Sequence, residues 1–518
     1  MIKKLCMFLL VGTVCASACL SGCGKESDDN QSETSSEMEG NHEGNTVSPG
    51  DVDVDVDGDV ATDIDEDMKI FQALFDINNK VVIDIDISEE EMNKIQEDYV
   101  RYDDIGGKSQ IYRMADKVTI TIGEDSYVIE QVGVRLKGNT SREPIKDLET
   151  GNLNLTHFRL SFNETFDDPE VYGEDAIVWE SEEARQERKD RRFATLKSLE
   201  TKWDSNYDRT HVREYYVYRM FRENGLFAPN TSLSQMIVHG VNYGVYSIYE
   251  PIDKEFLKKN FSKDENDGDL YKCAWTFKPC NYTLQTTYGV EDEDTRKRYN
   301  YTLKTNKSTS NHETLINFLN VLNSNTTGQK EIEEILDTKY LAKFMACSYF
   351  AGGPDDYRNN YNNHYLYFIS GSNQAILIPY DYDRCFGILE GWNPSRSGMT
   401  MISPFSEMAE GNRSVQTSPL LCKTIENNGF LLEEYKKQLE TIANSEWMTI
   451  ENFEKYYKIA KKNYEDVCSP TYNFENAEEV ILNFSMEGFA DSIEDEEGNL
   501  SVEDYITKLM ETYRKEMK

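Results

Sequence analysis

Residues 351–387 read A-G-G-P-D-D-Y-R-N-N-Y-N-N-H-Y-L-Y-F-I-S-G-S-N-Q-A-I-L-I-P-Y-D-Y-D-R-C-F-G, and this stretch constrains the fold more than any other. Two short apolar runs, 365–369 and 375–380, are joined by Ser370-Gly371-Ser372-Asn373, which predicts a β-hairpin. A loop rich in Asp and Asn precedes the first run, and Asp381 and Asp383 follow the second. The outer ends of a tight hairpin lie side by side, so both sets of oxygen donors converge at one mouth. Carboxylate and amide oxygens are what a hard cation such as Mg²⁺ takes as ligands. The competing reading is an ordinary turn-rich connection, since Asp, Asn, Gly and Pro also build those.

The 518 residues leave room for one large or two to three ordinary domains. Hydrophobic residues make up 38% and aromatics 12%, which excludes a wholly disordered chain. The formal charge of −39 excludes nucleic acid as an expected partner, because such a surface repels phosphate. Residues 81–87 alternate like a strand, and Ser88 followed by three acids reads as a helix N-cap. Strands are expected at 117–122, 127–136 and 158–162, with a hairpin over 234–250 around Gly240. Residues 164–192 lack periodicity and are expected to form a surface insertion. Helices are expected over 208–224, 314–322, 338–350, 431–443, 450–464 and 502–517. Strands early and helices late predict an α+β fold with a sheet-rich N-terminal part, about 68–250, and a helix-rich remainder, about 251–518.

The first residues read as an address. Lys3-Lys4 precede an apolar run over 5–20, shorter than the roughly 20 residues that span a bilayer. Leu20-Ser21-Gly22-Cys23 resembles a bacterial lipobox, which predicts a signal over 1–23, lipidation at Cys23 and an extracellular protein anchored to the membrane. Residues 24–67 carry 16 acids and one lysine and are expected to stay disordered as an acidic tether. Asp53-Val54-Asp55-Val56-Asp57-Gly58 opens like an EF-hand calcium loop, but Ile64 stands where its twelfth-position glutamate belongs, so a spacer is the better reading. Six cysteines remain beyond the signal; Cys273 and Cys280 are close enough for a disulfide, buried free thiols are equally expected, and the lack of two C-x-x-C knuckles argues against a structural zinc site.

The order acid–Asn loop, hairpin, Asp parallels protein kinases, in which a catalytic Asp and a metal-binding Asn precede a hairpin with a metal-binding Asp at its exit. On that parallel Asp355 or Asp356 orients the attacking hydroxyl, an Asn from 360–363 (Asn360 or Asn363) holds metal, and Asp381 bridges metal and phosphates. Neither H-R-D nor D-F-G is present, so the relationship would be remote. The chain further resembles the CotH kinase family, atypical protein-kinase-like enzymes of the spore coat type that phosphorylate secreted proteins. The resemblance is carried by V-R-L-K-G-N-T-S (134–141), L-K-S-L (196–199), D-R-T-H-V-R-E-Y (208–215) and N-Y-G-V-Y-S-I-Y-E-P-I-D-K-E-F-L (242–257). It continues through G-D-L-Y-K-C (268–273), N-H-Y-L-Y (363–367) and I-P-Y-D-Y-D-R-C-F-G (378–387).

The resemblance implies ATP and Mg²⁺, Asp381 as a metal ligand, Asp355 or Asp356 as the catalytic acid, and Asn363 as a metal ligand. The stretch between acid and asparagine is longer than the family pattern, which leaves the choice between Asp355 and Asp356 open. Asp383 either shares the metal or holds Arg384. Gly138, Asn139 and Ser141 offer a phosphate-covering loop. Lys272 is the first candidate for the phosphate lysine, with Glu250 as its partner and Lys137 and Lys197 competing. The expected function is an ATP- and Mg-dependent kinase acting on Ser or Thr of secreted or surface proteins. The alternative is an inactive surface assembly or adhesion protein.

Overall fold

A computed structural model of the chain describes residues 65–104, 106–138, 141–205, 208–276, 278–291, 298–388, 398–406, 417–470, 472–477, 483–488 and 498–518. The leader, Cys23, the acidic tether up to residue 64 with its Asp53–Gly58 motif, and Asn139 lie outside the described residues, whereas Glu66 and Asp67, expected to belong to the disordered tether, open a helix. Among the described residues no helix is long and apolar enough to cross a membrane.

Seven strands close into a barrel: β1 (Val81–Asp86), β2 (Arg113–Ile122), β3 (Asp125–Leu136), β4 (Phe158–Ser161), β5 (Ser198–Trp203), β6 (Thr231–Val238) and β7 (Val241–Tyr249). Their order is β1-β2-β3-β4-β5-β7-β6, antiparallel throughout except at the parallel β6–β1 seam. Period-two alternation fills it: Val81, Ile83 and Ile85 point inward with Val118, Ile120, Val134, Leu160 and Leu199. Helix α1 (Glu66–Phe75) packs Phe71 and Leu74 into this core, and α2 (Glu89–Asp103) adds Met92 and Ile95. The Ser88 side chain accepts from Glu91 N at 3.2 Å, a cap whose removal costs about 1 kcal/mol.

Residues 164–192, expected as a surface insertion, are mostly half-buried or exposed and carry short helices of their own. They hold α3 (Pro169–Tyr172) and α4 (Glu182–Asp190), and Arg188 and Arg191 reach back to the carbonyls of Glu130, Gln131, Phe162 and Glu164. Long guanidinium stems, rather than an apolar stripe, fix this segment to the barrel.

Beyond the barrel come α5 (Arg213–Glu223), between β5 and β6 in the chain, and α6 (Lys254–Asn260). A second sheet of order β12-β11-β8-β10-β9 is built from β8 (Leu270–Cys273), β9 (Tyr288–Gly289), β10 (Tyr301–Leu303), β11 (His364–Phe368) and β12 (Ala375–Pro379). Around it lie α7 (Glu313–Asn323), α8 (Gln329–Ile335), α9 (Thr338–Ala351), α10 (Tyr357–Asn360), α11 (Pro419–Thr424), α12 (Leu432–Ala443), α13 (Ile450–Tyr464) and α14 (Val502–Glu516). Helix and strand are thus mixed throughout. α9 is buried on nearly every side, which makes it the spine of the larger core. The expected 208–224 helix starts later, at Arg213, because Asp208 instead folds a turn, accepting from the backbone N–H of Thr210 and Arg213.

Candidate active site

The hairpin forms with Tyr365 opposite Ile378 and Leu366 opposite Leu377, every residue of both strands buried. Its mouth is set by three backbone choices. Gly352 ends α9 in the left-handed region at φ 61°, where any Cβ would lie 2.0 Å from Tyr505 Oη, so only glycine turns the chain there. Asn363 and Asp381 then flank the hairpin, both left-handed, at φ 47° and 58°. Tyr380 N donates to Asn363 O at 3.2 Å and holds the two ends together. Non-glycine residues take this conformation at a strain of order 1–3 kcal/mol, which clusters at functional sites.

Asp355 and Asp356 have separate environments. Asp355 accepts from the amides of Asn360 (2.6 Å), Asn362 (3.0 Å) and Asn363 (3.2 Å). Burial raises its pKa; the asparagine amides and Arg384 oppose that rise, and the negative charge of Asp381 adds to it, so the two acids feel one another. Asp356 turns inward: Oδ1 caps α10 through Asn359 N at 2.8 Å, and Oδ2 accepts from Tyr382 Oη at 3.3 Å. Burial pushes its carboxyl up to about 7 against the opposing pull of Asn359, Arg358 and Tyr382. Asp355 therefore belongs to the mouth and Asp356 to the packing behind it.

Facing the mouth is the outer surface of the barrel. Glu200 and Lys202 lie two apart on β5 and so share a face; Arg159 on β4 pairs in register with Glu200. Lys137, just past β3, reaches Glu200 Oε2 at 2.6 Å, and Arg159 reaches Oε1 at 3.0 Å. Burial would raise the Glu200 pKa, but Lys137, Arg159 and Lys272 outweigh it and hold the carboxylate ionised. The buried Lys202 Nζ sits 2.6 Å from Asp381 Oδ1, 3.1 Å from Asp383 Oδ2 and 4.0 Å from Glu214 Oε2. Burial disfavours its charge, yet these carboxylates more than compensate, and the ammonium stays protonated well above its usual range. The same ion pairs, with Lys137 and Lys272, overcome burial at Asp381 and hold its carboxyl well below the usual range.

Glu214 projects from α5 behind Lys202. Oε2 accepts from Tyr249 Oη at 2.6 Å, while Oε1 is buried without a hydrogen-bond partner among the described residues. Burial pushes its pKa up to about 7, Lys202 opposing and Asp383 and Asp381 reinforcing the rise. Arg213, one residue earlier, donates to Phe386 O and Leu500 O at 2.7 Å each, tying α5 to the segment that carries Asp381 and Asp383. Its role is structural. A small cavity of about 30 Å³ lies between Lys202, Glu214, Tyr249 and Asp383.

The remaining expected residues divide. Ser141 Oγ contacts His157 Nε2 at 3.1 Å, and His157 Nδ1 accepts from Trp203 N at 3.2 Å. Burial, reinforced by Lys202 and Lys137, keeps this imidazole neutral, so it joins Ser141 to the strand bearing Lys202. Gly138 has φ 110° beside His157. Lys272 extends over the Tyr380 ring, its Nζ 4.2 Å from the centroid; burial and Lys304 bring its pKa down to about 7.

The expected Lys272–Glu250 pair does not form. Glu250 follows the end of β7, where its carboxylate meets Lys259 at 2.9 Å and Asn230 Nδ2 at 2.7 Å, while Lys272 lies on the second sheet. Lys197 pairs with Asp190 at 3.4 Å near the surface, and Asp383 contacts Lys202. The sequence reading passed over Lys202 and Glu214. Their signal was a lysine on a strand followed by a helix with a glutamate in its first turn, the arrangement of a kinase lysine–glutamate pair.

The donor set fits a hard cation: Asp381 and Asp383 supply carboxylate oxygens and Asn363 an amide at one mouth, and Glu214 Oε1 is an orphaned acceptor beside them.

No curated protein matches the chain. Among solved structures, the crystal structure of a Helicobacter pylori proinflammatory kinase, CtkA, matches at 12% identity, over 52% of this chain and 89% of that one. Its TM-score of 0.24 is too low for that likeness to bear on the site. A family model described as CotH kinase protein matches residues 177–481, more than half the length and spanning Lys202, Glu214, Asp355 and Asp381, so the chain belongs to the CotH kinase family.

Proposed function

We propose that this chain is an atypical protein kinase that transfers the γ-phosphoryl group of ATP to a Ser or Thr hydroxyl of a secreted or surface protein. It acts outside the cell, tethered by a lipid at Cys23. The observation that carries the reading is the convergence of a charged Lys202, backed by Glu214, on Asp381 and Asp383, with Asp355 across the same mouth. Family membership supports a kinase-like enzyme.

Asp355 accepts the hydroxyl hydrogen of the acceptor and orients its oxygen for in-line attack, its carboxylate aimed by three asparagine amides. Lys202 swings from Asp381 onto the phosphate oxygens, and Glu214 keeps its ammonium in the cleft. Lys137 and Arg159, which share the single carboxylate of Glu200, leave one net positive charge that adds to the potential of the cleft. Mg²⁺ would be held by Asp381 with Asn363 and Asp383, where it supplies neutralisation of the triphosphate charge.

Labelling with γ-³²P-ATP, with and without Mg²⁺, tests the proposal on the chain itself and on casein. Mg-dependent incorporation at Ser or Thr that Asp381→Asn abolishes is the expected result. An increase in intact mass by a nucleotide instead of a phosphate would reassign the chemistry to nucleotidyl transfer. A second reading, an inactive assembly or adhesion protein, is favoured by one feature: Lys202 ion-pairs with both Asp381 and Asp383, engaging oxygens that a metal would use. Absence of nucleotide binding and of labelling would decide for it.

A further inference from the structure

Behind the hairpin mouth lies a cluster that phosphoryl transfer does not use. Cys273 ends β8 directly opposite His364 on β11, and Cys280 returns from the intervening loop, its N–H donating to Tyr361 O at 3.0 Å. One ligand atom from each of the three side chains lies within 4.8 Å of the other two, and all three residues are fully buried. His364 Nδ1 lies 3.0 Å from Asn362 O, which can only accept, so Nδ1 carries the hydrogen and Nε2 presents its lone pair. That lone pair accepts a hydrogen bond from Tyr282 Oη at 2.7 Å, a contact that a bound ion would displace.

We propose that Cys273, Cys280 and His364 form a structural site for one thiophilic divalent cation of the zinc class. Two thiolates and an imidazole are the soft donor set that such an ion selects. An imidazole whose other nitrogen donates to a backbone carbonyl is the usual outer-shell arrangement of a metal-binding histidine. Binding releases two protons to solvent: M²⁺ and two thiols give a neutral bis-thiolate centre. Neutrality is what a fully buried position requires, whereas either thiolate alone would be an uncompensated charge. A zinc centre with bonds of about 2.0–2.3 Å needs its ligand atoms closer than their present limit by about 1 Å, a side-chain adjustment. Burial means the ion loads as the chain folds.

The cluster adjoins the mouth on two strands, since Cys273 follows Lys272 and His364 follows Asn363. The sequence spacing hides it, because the histidine arrives from a strand far along the chain.

The test is elemental analysis of the chain produced in zinc-supplemented medium and dialysed against a mild chelator. About one equivalent of zinc is expected in the folded chain, released on denaturation. Cys280→Ser and His364→Gln should each lose most of it, while Asp381→Asn, which alters only the mouth, should retain it. Cobalt substitution should give a thiolate-to-metal absorption band in the unmodified chain, a readout that needs no variant to fold. The proposal is overturned by a zinc-free chain whose six cysteines of the described region all react as thiols after denaturation. It is equally overturned by a mass deficit of two hydrogens mapping to a Cys273–Cys280 disulfide, or by full zinc retention in Cys280→Ser.

Discussion

The two walls of the cleft are built in opposite ways. The hairpin mouth draws Asp355, Asn360, Asn363, Asp381 and Asp383 from one run of 29 residues, 355–383, positioned by local turns and a short ladder. The barrel wall draws Lys137, Arg159, Glu200 and Lys202 from beside or within three different strands, and Glu214 from a helix outside the barrel. A contiguous site announces itself as a motif. A site assembled across strands shows only when the register is known, and each of its charges then depends on the others to remain ionised.

Five variants break or sharpen this contrast. The largest effects are expected at the mouth: Asp355→Asn and Asp381→Asn should each lower phosphoryl transfer by roughly 10²–10⁴-fold while the chain still melts cooperatively. If Asp355→Asn instead keeps its rate, the acceptor is oriented elsewhere. On the barrel wall, Lys202→Met should cost roughly 10²-fold in transfer, with Mg²⁺ affinity retained or raised because the competing ammonium is gone. Unchanged kcat/KM there would remove the wall from catalysis.

Asp356→Asn separates the adjacent acids. It should leave transfer within a few-fold but lower stability by about 1–2 kcal/mol through the weakened cap and the altered contact with Tyr382. Its pH dependence carries a sign. A carboxyl raised to about 7 in the folded state contributes most below the ordinary carboxyl range, and that contribution is lost as pH rises through about 7. Thermal melts of the unmodified chain should therefore fall relative to Asp356→Asn across that interval. The smallest effect belongs to Lys272→Met. A lysine depressed to about 7 costs stability increasingly as pH falls from the usual lysine range to about 7, so the variant should gain melting temperature near neutrality and lose that gain in alkali. A melting difference independent of pH would mean the amine is charged throughout.

Much of the fold was legible because it obeys simple periods. The hairpins, the Ser88 cap and the late helices lie within a few residues of expectation, since alternating or 3.6-residue apolar patterns encode them directly. Strand β5 was not legible. In S-L-E-T-K-W the alternates Glu200 and Lys202 are charged and give their face no apolar signal, yet they face the cleft and are buried by long-range ion pairs. The same limit produced the unformed Lys272–Glu250 pair: sequence ranks charges by neighbourhood, whereas Lys259 reaches Glu250 only once α6 has formed. Of the two candidate acids, only side-chain direction told them apart.

The parallel seam between β6 and β1 has a practical edge. The family match begins at residue 177, past four of the seven staves that make the closed cylinder. A fragment trimmed to those limits would leave β5 and β6 each without a neighbour, presenting bare N–H and C=O rows to any passing chain. It would also drop Tyr505, whose hydroxyl bonds Phe350 O at the end of the spine helix. Shortened versions designed from the match alone should therefore clump, and useful ones should begin ahead of Glu66 and run to the last helix.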